Sequence, residues 1–432
     1  MPAPVTLTRF TVPPFDPLAG LLGPRGAAGD SATRAVVAGI IEAVRDQGDA
    51  ALERFQREFD RVDLAPSAWE VPPAEWAAAR ARLAPGVRGA LERATERVRA
   101  FHERQREASQ MSLDDDGTTV GTRVLPLDAV GVYVPGGTAS YPSSVVMNVV
   151  PARVAGVRDI VAVTPPGGIT DAVLAACAIA GVSRLFRVGG AQACAALAFG
   201  TATVPRVDKI VGPGNRFVAE AKRQLAGLVG IDLVAGPTEV LIVADHTADP
   251  GHVAADLLAQ AEHDADASAW LVTCHAPLIE AVEARLAECL SRAPRGAIAR
   301  AALERDGVAV LVPDVATAID VANRRAPEHL ELLVDDAGRW VESVRHAGAV
   351  FVGDASPEPV GDYVAGPSHV LPTGGTARFA SPLGVHDFVK RSSVIAYTPA
   401  RLARDAADII ALAEAEGLPA HAQAVRARLE DA

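Results

Sequence analysis

The sequence predicts an α/β protein with two parallel-sheet domains, and three observations predict it. Short β-branched runs recur, each stopped by glycine: RDIVAVTPPGG (158–168), SRLFRVGGAQA (183–193) and VDKIVGPGN (207–215). Each run is followed by an Ala/Val/Leu-rich stretch of helical spacing, and strand, turn and helix in repetition are the signature of a parallel sheet. A second series repeats the pattern: EVLIVAD (239–245), SAWLVTC (268–274), VAVLVPD (308–314), HLELLV (329–334) and GAVFVGD (348–354).

The remaining elements follow in order. Residues 1–30 form an N-terminal arm holding Pro2, Pro4, Pro13, Pro14 and Pro17 and no continuous apolar run, which argues against a secretory signal. Residues 31–132 open with helical periodicity over 31–60, where Ser31 is the expected N-cap, and continue as helices over 73–108 with Arg/Glu pairs outward. These helices are expected to pack on the second sheet domain; strands begin near 120. Residues 133–238 make the first sheet domain and 239–381 the second. After Pro382 the composition reads as helical to the end (ARLARDAADIIALAEAEG), giving a tail over 382–432 that reaches a neighbouring subunit.

Bulk properties narrow the function. The 432 residues are 49% hydrophobic and 22% charged, with no apolar run long enough to span a bilayer. A net charge of −12 draws the chain to neither nucleic acid nor anionic lipid. Cys177, Cys194, Cys274 and Cys289 are widely spaced and form no CxxC pair, so packing thiols of a cytosolic protein are expected. Cys194, close to a Gly-Gly turn, is the one weighed as a nucleophile.

In parallel sheets a ligand lies beyond the carboxyl ends of the strands, so polar residues in post-strand turns are the first candidates. There is no GxxxxGK[ST], GxSxG or HExxH. The nearest dinucleotide fingerprint is Gly212-Pro213-Gly214-Asn215-Arg216-Phe217, with Phe where the third glycine belongs. Gln260 sits in the apolar stripe of a helix drawn by Val253 and Leu257, and His263 lies three residues on, near the same face. Two readings fit that pair: hydrogen bonds to neighbouring backbone, or a ligand site. Glu328 and His329 begin a strand after Pro327; they are either an exposed acid beside a half-buried imidazole or an acid–base pair brought together by irregular backbone. The segment 353–375 is long and turn-rich and holds Asp354, Glu358, Asp362 and His369, with Asp362 as a candidate metal ligand and His369 as a proton carrier. Glu416 and His421 flank a helix break at Gly417 and Pro419. Residues alone reach an α/β enzyme with a candidate zinc site, and no further.

Eight strings then fall in one order: YVPGGTASYPSSVVMNVVPARVAGV, GGAQACAALAFGT, DKIVGPGN, AGPTEVLIVAD, LLAQAEHD, APEHLELL, VGDYVAGPSHVLPTGG and AEGLPAHAQAV. Together they resemble the histidinol dehydrogenase family over nearly the whole chain. The resemblance implies two incomplete Rossmann-like domains with helical extensions at both ends, and a cytoplasmic homodimer with its active site shared between subunits. It implies oxidation of L-histidinol to L-histidine with two NAD⁺, the last step of histidine biosynthesis. It also implies one Zn²⁺ per subunit, held by Gln260, His263, Asp362 and a His421 from the partner subunit, a donor set acceptable to zinc. Glu328 and His329 match the catalytic pair, and Thr238, His369 and Glu416 match substrate contacts, joined by His329 and the metal ligands. Tyr133, Gln192 and Asn215 match NAD contacts. Thr238 stands where the family often has Ser, and both supply a hydroxyl. The alternative is a paralogous zinc- and NAD-dependent dehydrogenase of another polar alcohol, such as a sulfonated diol.

Overall fold

The computed structural model describes residues 5–15, 18–22, 25, 31–136 and 140–430; residues 137–139 of the GGTAS string and parts of the 1–30 arm lie outside them. In chain order the described strands are β1 Thr8–Thr11, β2 Gln110–Leu113, β3 Thr119–Pro126, β4 Ala129–Tyr133, β5 Asp159–Val163, β6 Arg184–Phe186 and β7 Lys209–Val211. They continue with β8 Gly230–Ile231, β9 Glu239–Ala244, β10 Ser268–Thr273, β11 Gly307–Leu311, β12 His329–Leu333, β13 Ala349–Val352 and β14 Val389–Ala396. Two sheets are parallel throughout, one ordered β6-β5-β4-β7-β8 and the other β1-β11-β10-β9-β12-β13.

The central strands are parallel because both of their faces are covered. Every residue of β9, β10 and β12 is buried, which is why they read as near-continuous apolar runs rather than alternating ones. On one face of the second sheet Val240, Ile242 and Leu271 pack with Val253, Leu257, Val282 and Leu286. On the other, Leu241, Val243 and Trp270 pack with Ile319, Val321 and Leu18 of the arm. The arm also adds β1 to this sheet's edge, in register with β11.

The helices of 31–60 lie elsewhere than expected. Val37, Ile40 and Val44 pack with Phe186, Leu197, Val218 and Ile210, in the core of the first sheet, and the helix Pro73–Arg82 lies on Asp171–Ala180. The second sheet has no room for them, since its faces already carry their own helices and the arm.

The chain divides into two compact units. The larger comprises residues 1–105 and 128–388 and holds both parallel sheets; the smaller comprises 106–127 and 389–432. The smaller unit corrects two expectations, because strand begins at Gln110, ahead of the expected 120, and the tail carries a strand before its helices. There β14 pairs antiparallel with β3, which pairs with β2. VKRSSVIA is a mostly exposed strand with Val389, Val394 and Ile395 as its β-branched residues, and helix follows only at Pro399–Ala415 and Pro419–Glu430. Among the described residues no helix is long and apolar enough to cross a membrane. All four cysteines are free; burial pushes the Cys194 thiol up to about 12, which removes it as a nucleophile at neutral pH.

Candidate active site

Both parallel sheets reverse strand order once, between β4 and β7 in the first and between β9 and β12 in the second. Such a reversal opens a crevice between diverging connections. In the first sheet the candidate residues Tyr133, Gln192 and Asn215 lie at the carboxyl ends of the strands. Tyr133, the last residue of β4, is buried, and its phenol oxygen accepts the Gly190 N–H at 3.1 Å. Burial pushes that phenol up, so it stays protonated. Gly212, after β7, has φ 106°, and a Cβ there would lie 2.3 Å from the Tyr133 carbonyl oxygen, so only glycine fits this approach. Asn215 caps the helix Arg216–Leu225, its Oδ1 accepting from Phe217 N at 3.0 Å and Val218 N at 3.2 Å. Gln192 lies buried in the first turn of Gly190–Phe199. Tyr133 thus touches the turns that carry Gln192 and Asn215. Behind them, buried Lys222 donates to the Gly212 carbonyl at 2.9 Å and pairs with Asp232, whose Oδ2 accepts the Gly212 N–H at 2.8 Å.

In the second sheet the polar residues gather at the amino ends instead, which corrects the expectation drawn from post-strand turns. Thr238 precedes β9, Glu328 precedes β12, and His329 opens β12. The helix Pro250–Ala261 runs back to the same end, bringing Gln260 in its last turn and His263 just beyond its C-cap Glu262. The irregular backbone that a Glu-His pair needs is present: Ala326 takes φ 50° at the end of Val315–Arg325, so Pro327 and Glu328 enter the strand from a left-handed bend.

One chain of hydrogen bonds links three of these residues. Gln260 Nε2 donates to Thr238 Oγ1 at 2.9 Å, and that hydroxyl donates to Glu328 Oε2 at 2.6 Å. The Glu239 N–H donates to the same Oε2 at 3.0 Å. Burial raises the Glu328 carboxyl and His329 and these bonds hold it down; it comes to about 7. His329 Nδ1 lies 3.1 Å from the Glu239 carbonyl, 3.8 Å from Glu328 Oε2 and 3.7 Å from Glu358 Oε1. A carbonyl acceptor places the proton on Nδ1 and leaves Nε2 a lone pair, the form a base needs.

Beside this chain is a group of donors. His263, Glu358 and Asp362 each offer one ligand atom, all within 4.8 Å of one another. Glu358 and Asp362 share a face of the short helix Glu358–Tyr363, formed in what reads in sequence as loop. His369 Nδ1 lies 3.1 Å from the Asp362 carbonyl oxygen. Gln260 is fully buried, yet its Oε1 has no hydrogen-bond partner. A buried orphan acceptor costs about 1–3 kcal/mol, so a bare amide oxygen on the residue three before His263 fits a cation-ligand role. A cleft of about 410 Å³ opens next to His263, lined also by Ser140, Tyr141, Met147 and Tyr363.

Glu358 stood in the sequence without a role, and Glu331 and Asp256 drew no notice. Glu331, inside β12, is buried with Asp256; burial pushes both carboxyls up, Asp256 raises Glu331 further, and the hydrogen bond with Glu331 holds Asp256 down in part. The Glu358 carboxyl is pushed well up, by burial first and then by Asp362 and Asp256. The signal was present: an acid in HLELL interrupts an otherwise apolar strand. Glu416 and His421 lie on the smaller unit, where Glu416 caps the helix Pro399–Ala415 and His421 sits in Pro419–Glu430, both exposed.

Three comparisons bear on this arrangement. The family model described as histidinol dehydrogenase matches residues 24–429. Histidinol dehydrogenase of Pseudomonas syringae pv. syringae is 51% identical over 405 residues, 93% of this chain and 90% of that protein. That of Halalkalibacterium halodurans is 51% identical over 395 residues, covering 91% and 93%. The crystal structure of histidinol dehydrogenase from Elizabethkingia anophelis superposes with a TM-score of 0.92 at 33% identity, over 98% of each chain.

Proposed function

This chain belongs to the histidinol dehydrogenase family, and from that premise we propose that it oxidises L-histidinol to L-histidine in two steps at the amino edge of the second sheet. The observation that carries the proposal is the Thr238 hydroxyl, which lies between Gln260 and Glu328 and ties the metal donors to the acid–base pair. NAD⁺ is the second substrate and accepts a hydride in each step, with Tyr133, Gln192 and Asn215 as its contacts at the carboxyl edge of the first sheet.

Gln260, His263 and Asp362 would hold one Zn²⁺, with His421 of the partner subunit as fourth ligand in a homodimer. When bound, that ion would supply Lewis acidity for holding the substrate's nitrogen donors. His329 Nε2 takes the alcohol proton as the first hydride leaves. Glu328 has one oxygen occupied by Thr238 and the Glu239 N–H; the other takes a proton from water, which adds to the aldehyde. The hydrate again carries a hydride to give, and its loss produces the acid. A carboxyl near 7 suits this task, since both protonation states are populated at neutral pH. His369 and Thr238, with Glu416 of the partner subunit, complete the substrate contacts. The compartment consistent with NAD⁺ and four free thiols is the cytoplasm.

The test is the yield of NADH per L-histidinol consumed, before and after chelation. About two NADH per substrate, lost on chelation and restored by zinc, is the expected result. One NADH per histidinol, or turnover only with another polar alcohol, overturns the assignment.

A further inference from the structure

The candidate acid–base pair is held by the backbone of a single residue. Glu239 donates its N–H to Glu328 Oε2 at 3.0 Å and offers its carbonyl to His329 Nδ1 at 3.1 Å. Whatever fixes the backbone of Glu239 therefore fixes both groups at once. Its side chain points to what does so. The carboxylate is buried, and Oε1 accepts from Arg25 Nη2 at 3.1 Å and from Gly374 N at 2.9 Å, while Oε2 lies 3.2 Å from Arg325 Nη2. Three segments distant in sequence meet on one carboxylate.

Each cation is itself anchored. Arg325 stacks over Trp270 at 4.1 Å and donates to Ser268 Oγ at 2.8 Å and to the Leu21 carbonyl at 2.7 Å. Arg25 donates to the Arg325 carbonyl at 2.9 Å, one residue before the left-handed Ala326 that turns the chain into Glu328. The arm thus grips both the peptide that clamps the pair and the bend that delivers Glu328. A charged group at the start of a wholly buried strand is costly unless it is paired, and a hydrophobic residue would fill the space without that cost. Retaining two arginines and an acid here calls for a use in geometry.

We propose that Glu239, locked by Arg25 and Arg325, is a positioning residue for Glu328 and His329, so that the N-terminal arm is part of the catalytic apparatus. The proposal rests on the reading of Glu328 and His329 as the acid–base pair. A shift of about 1 Å in a reacting group can cost about 100-fold in rate, so displacing both groups acts on kcat and not on binding.

The experiment compares Glu239→Gln, Arg25→Met and Arg25→Lys as purified, metal-loaded enzymes, with Glu328→Gln in parallel. For Glu239→Gln we expect kcat to fall about 30- to 100-fold, with KM for histidinol within about twofold and zinc content unchanged. The alcohol and aldehyde steps should slow together, whereas Glu328→Gln slows the aldehyde step more. Arg25→Met should lose about 5- to 10-fold, and Arg25→Lys should lie closer to the unsubstituted enzyme. Should Glu239→Gln fail to fold, the Arg25 pair decides. Unchanged kcat in folded Arg25→Met or Glu239→Gln, with Glu328→Gln inactive, overturns the positioning role alone. A fully active Glu328→Gln overturns the reading of the pair beneath it.

Discussion

The two parallel sheets are built alike and carry their candidate residues at opposite ends. Each reverses strand order once, and each gathers its candidate residues at that reversal. In the first they gather at the carboxyl ends, where helices begin: Gly190–Phe199 and Arg216–Leu225 present N-termini to the crevice. In the second they gather at the amino ends, where helices finish: Pro250–Ala261 and Val315–Arg325 present C-termini. Helix N-termini carry partial positive charge and free N–H groups, suited to the pyrophosphate of a dinucleotide. Helix C-termini carry partial negative charge, suited to a metal cation or a protonated amine. The same architecture thus offers an anion site and a cation site, depending on which edge is used.

Substitutions on each edge test that division. The largest effect is expected from Glu328→Gln, which should lower overall oxidation about 10³-fold and slow histidinal oxidation more than the first step. Single-turnover rates with each substrate check it, and equal losses would remove the water-activating role. Next, His263→Ala should abolish zinc retention in a folded chain; metal analysis showing full occupancy would take His263 out of the ligand set. Gly212→Ala on the first sheet should raise KM for NAD⁺ about 10-fold or more while zinc and histidinol binding hold, because its φ of 106° and a Cβ 2.3 Å from Tyr133 O force the turn to move. An equal effect on histidinol binding would break the division between the edges.

The pH dependence is smaller. With its carboxyl at about 7, Glu328 acts as a base only as pH rises through that value, so turnover should climb about 10-fold from pH 6 to 8. Stability runs the other way, since the folded state holds this proton more tightly than the unfolded chain. The contribution is full below the ordinary 4.5 and is lost as pH rises through about 7. A pH–rate profile and melts across the same range check both, and a profile unchanged in Glu328→Gln would assign the limb elsewhere. The smallest effect is that of Asn215→Ala, which loses a cap worth about 1 kcal/mol and should raise KM for NAD⁺ a few-fold. A melt and an NAD⁺ titration measure the two parts.

The strands were legible because burial on both faces writes them as unbroken apolar runs, as in EVLIVA and SAWLVT. VKRSSVIA was not, since a mostly exposed strand before a long helix carries no such run. Gln260 and His263 were visible as polar residues on an apolar stripe, and Glu328-His329 as an acid beside an imidazole. What converts them into one site is Ala326 in a left-handed bend and Thr238 between two side chains 68 positions apart, and neither leaves a periodic trace. The edge differs from the expectation for a related reason: the rule for carboxyl ends describes where turns bind anions, whereas these donors gather where helices end, at the opposite polarity. Glu239 reads as an ordinary strand-opening acid, because its partners Arg25 and Arg325 come from far along the chain.

The pairing of β1 with β11 sets Thr8 beside Val308, 300 positions later. On a ribosome adding about 5–20 residues per second, the arm emerges on the order of 15–60 s before its sheet partner exists. The first sheet needs only residues up to Ile231 and its covering helices, so it can assemble while synthesis continues. The arm, with Val5 and Leu7 bare of their eventual core, must wait without committing. Its prolines flank that strand and suit the interval, since Pro4 and Pro13 confine any premature pairing to the few residues between them. A segment made long before its sheet partner is thus among the last to find its place.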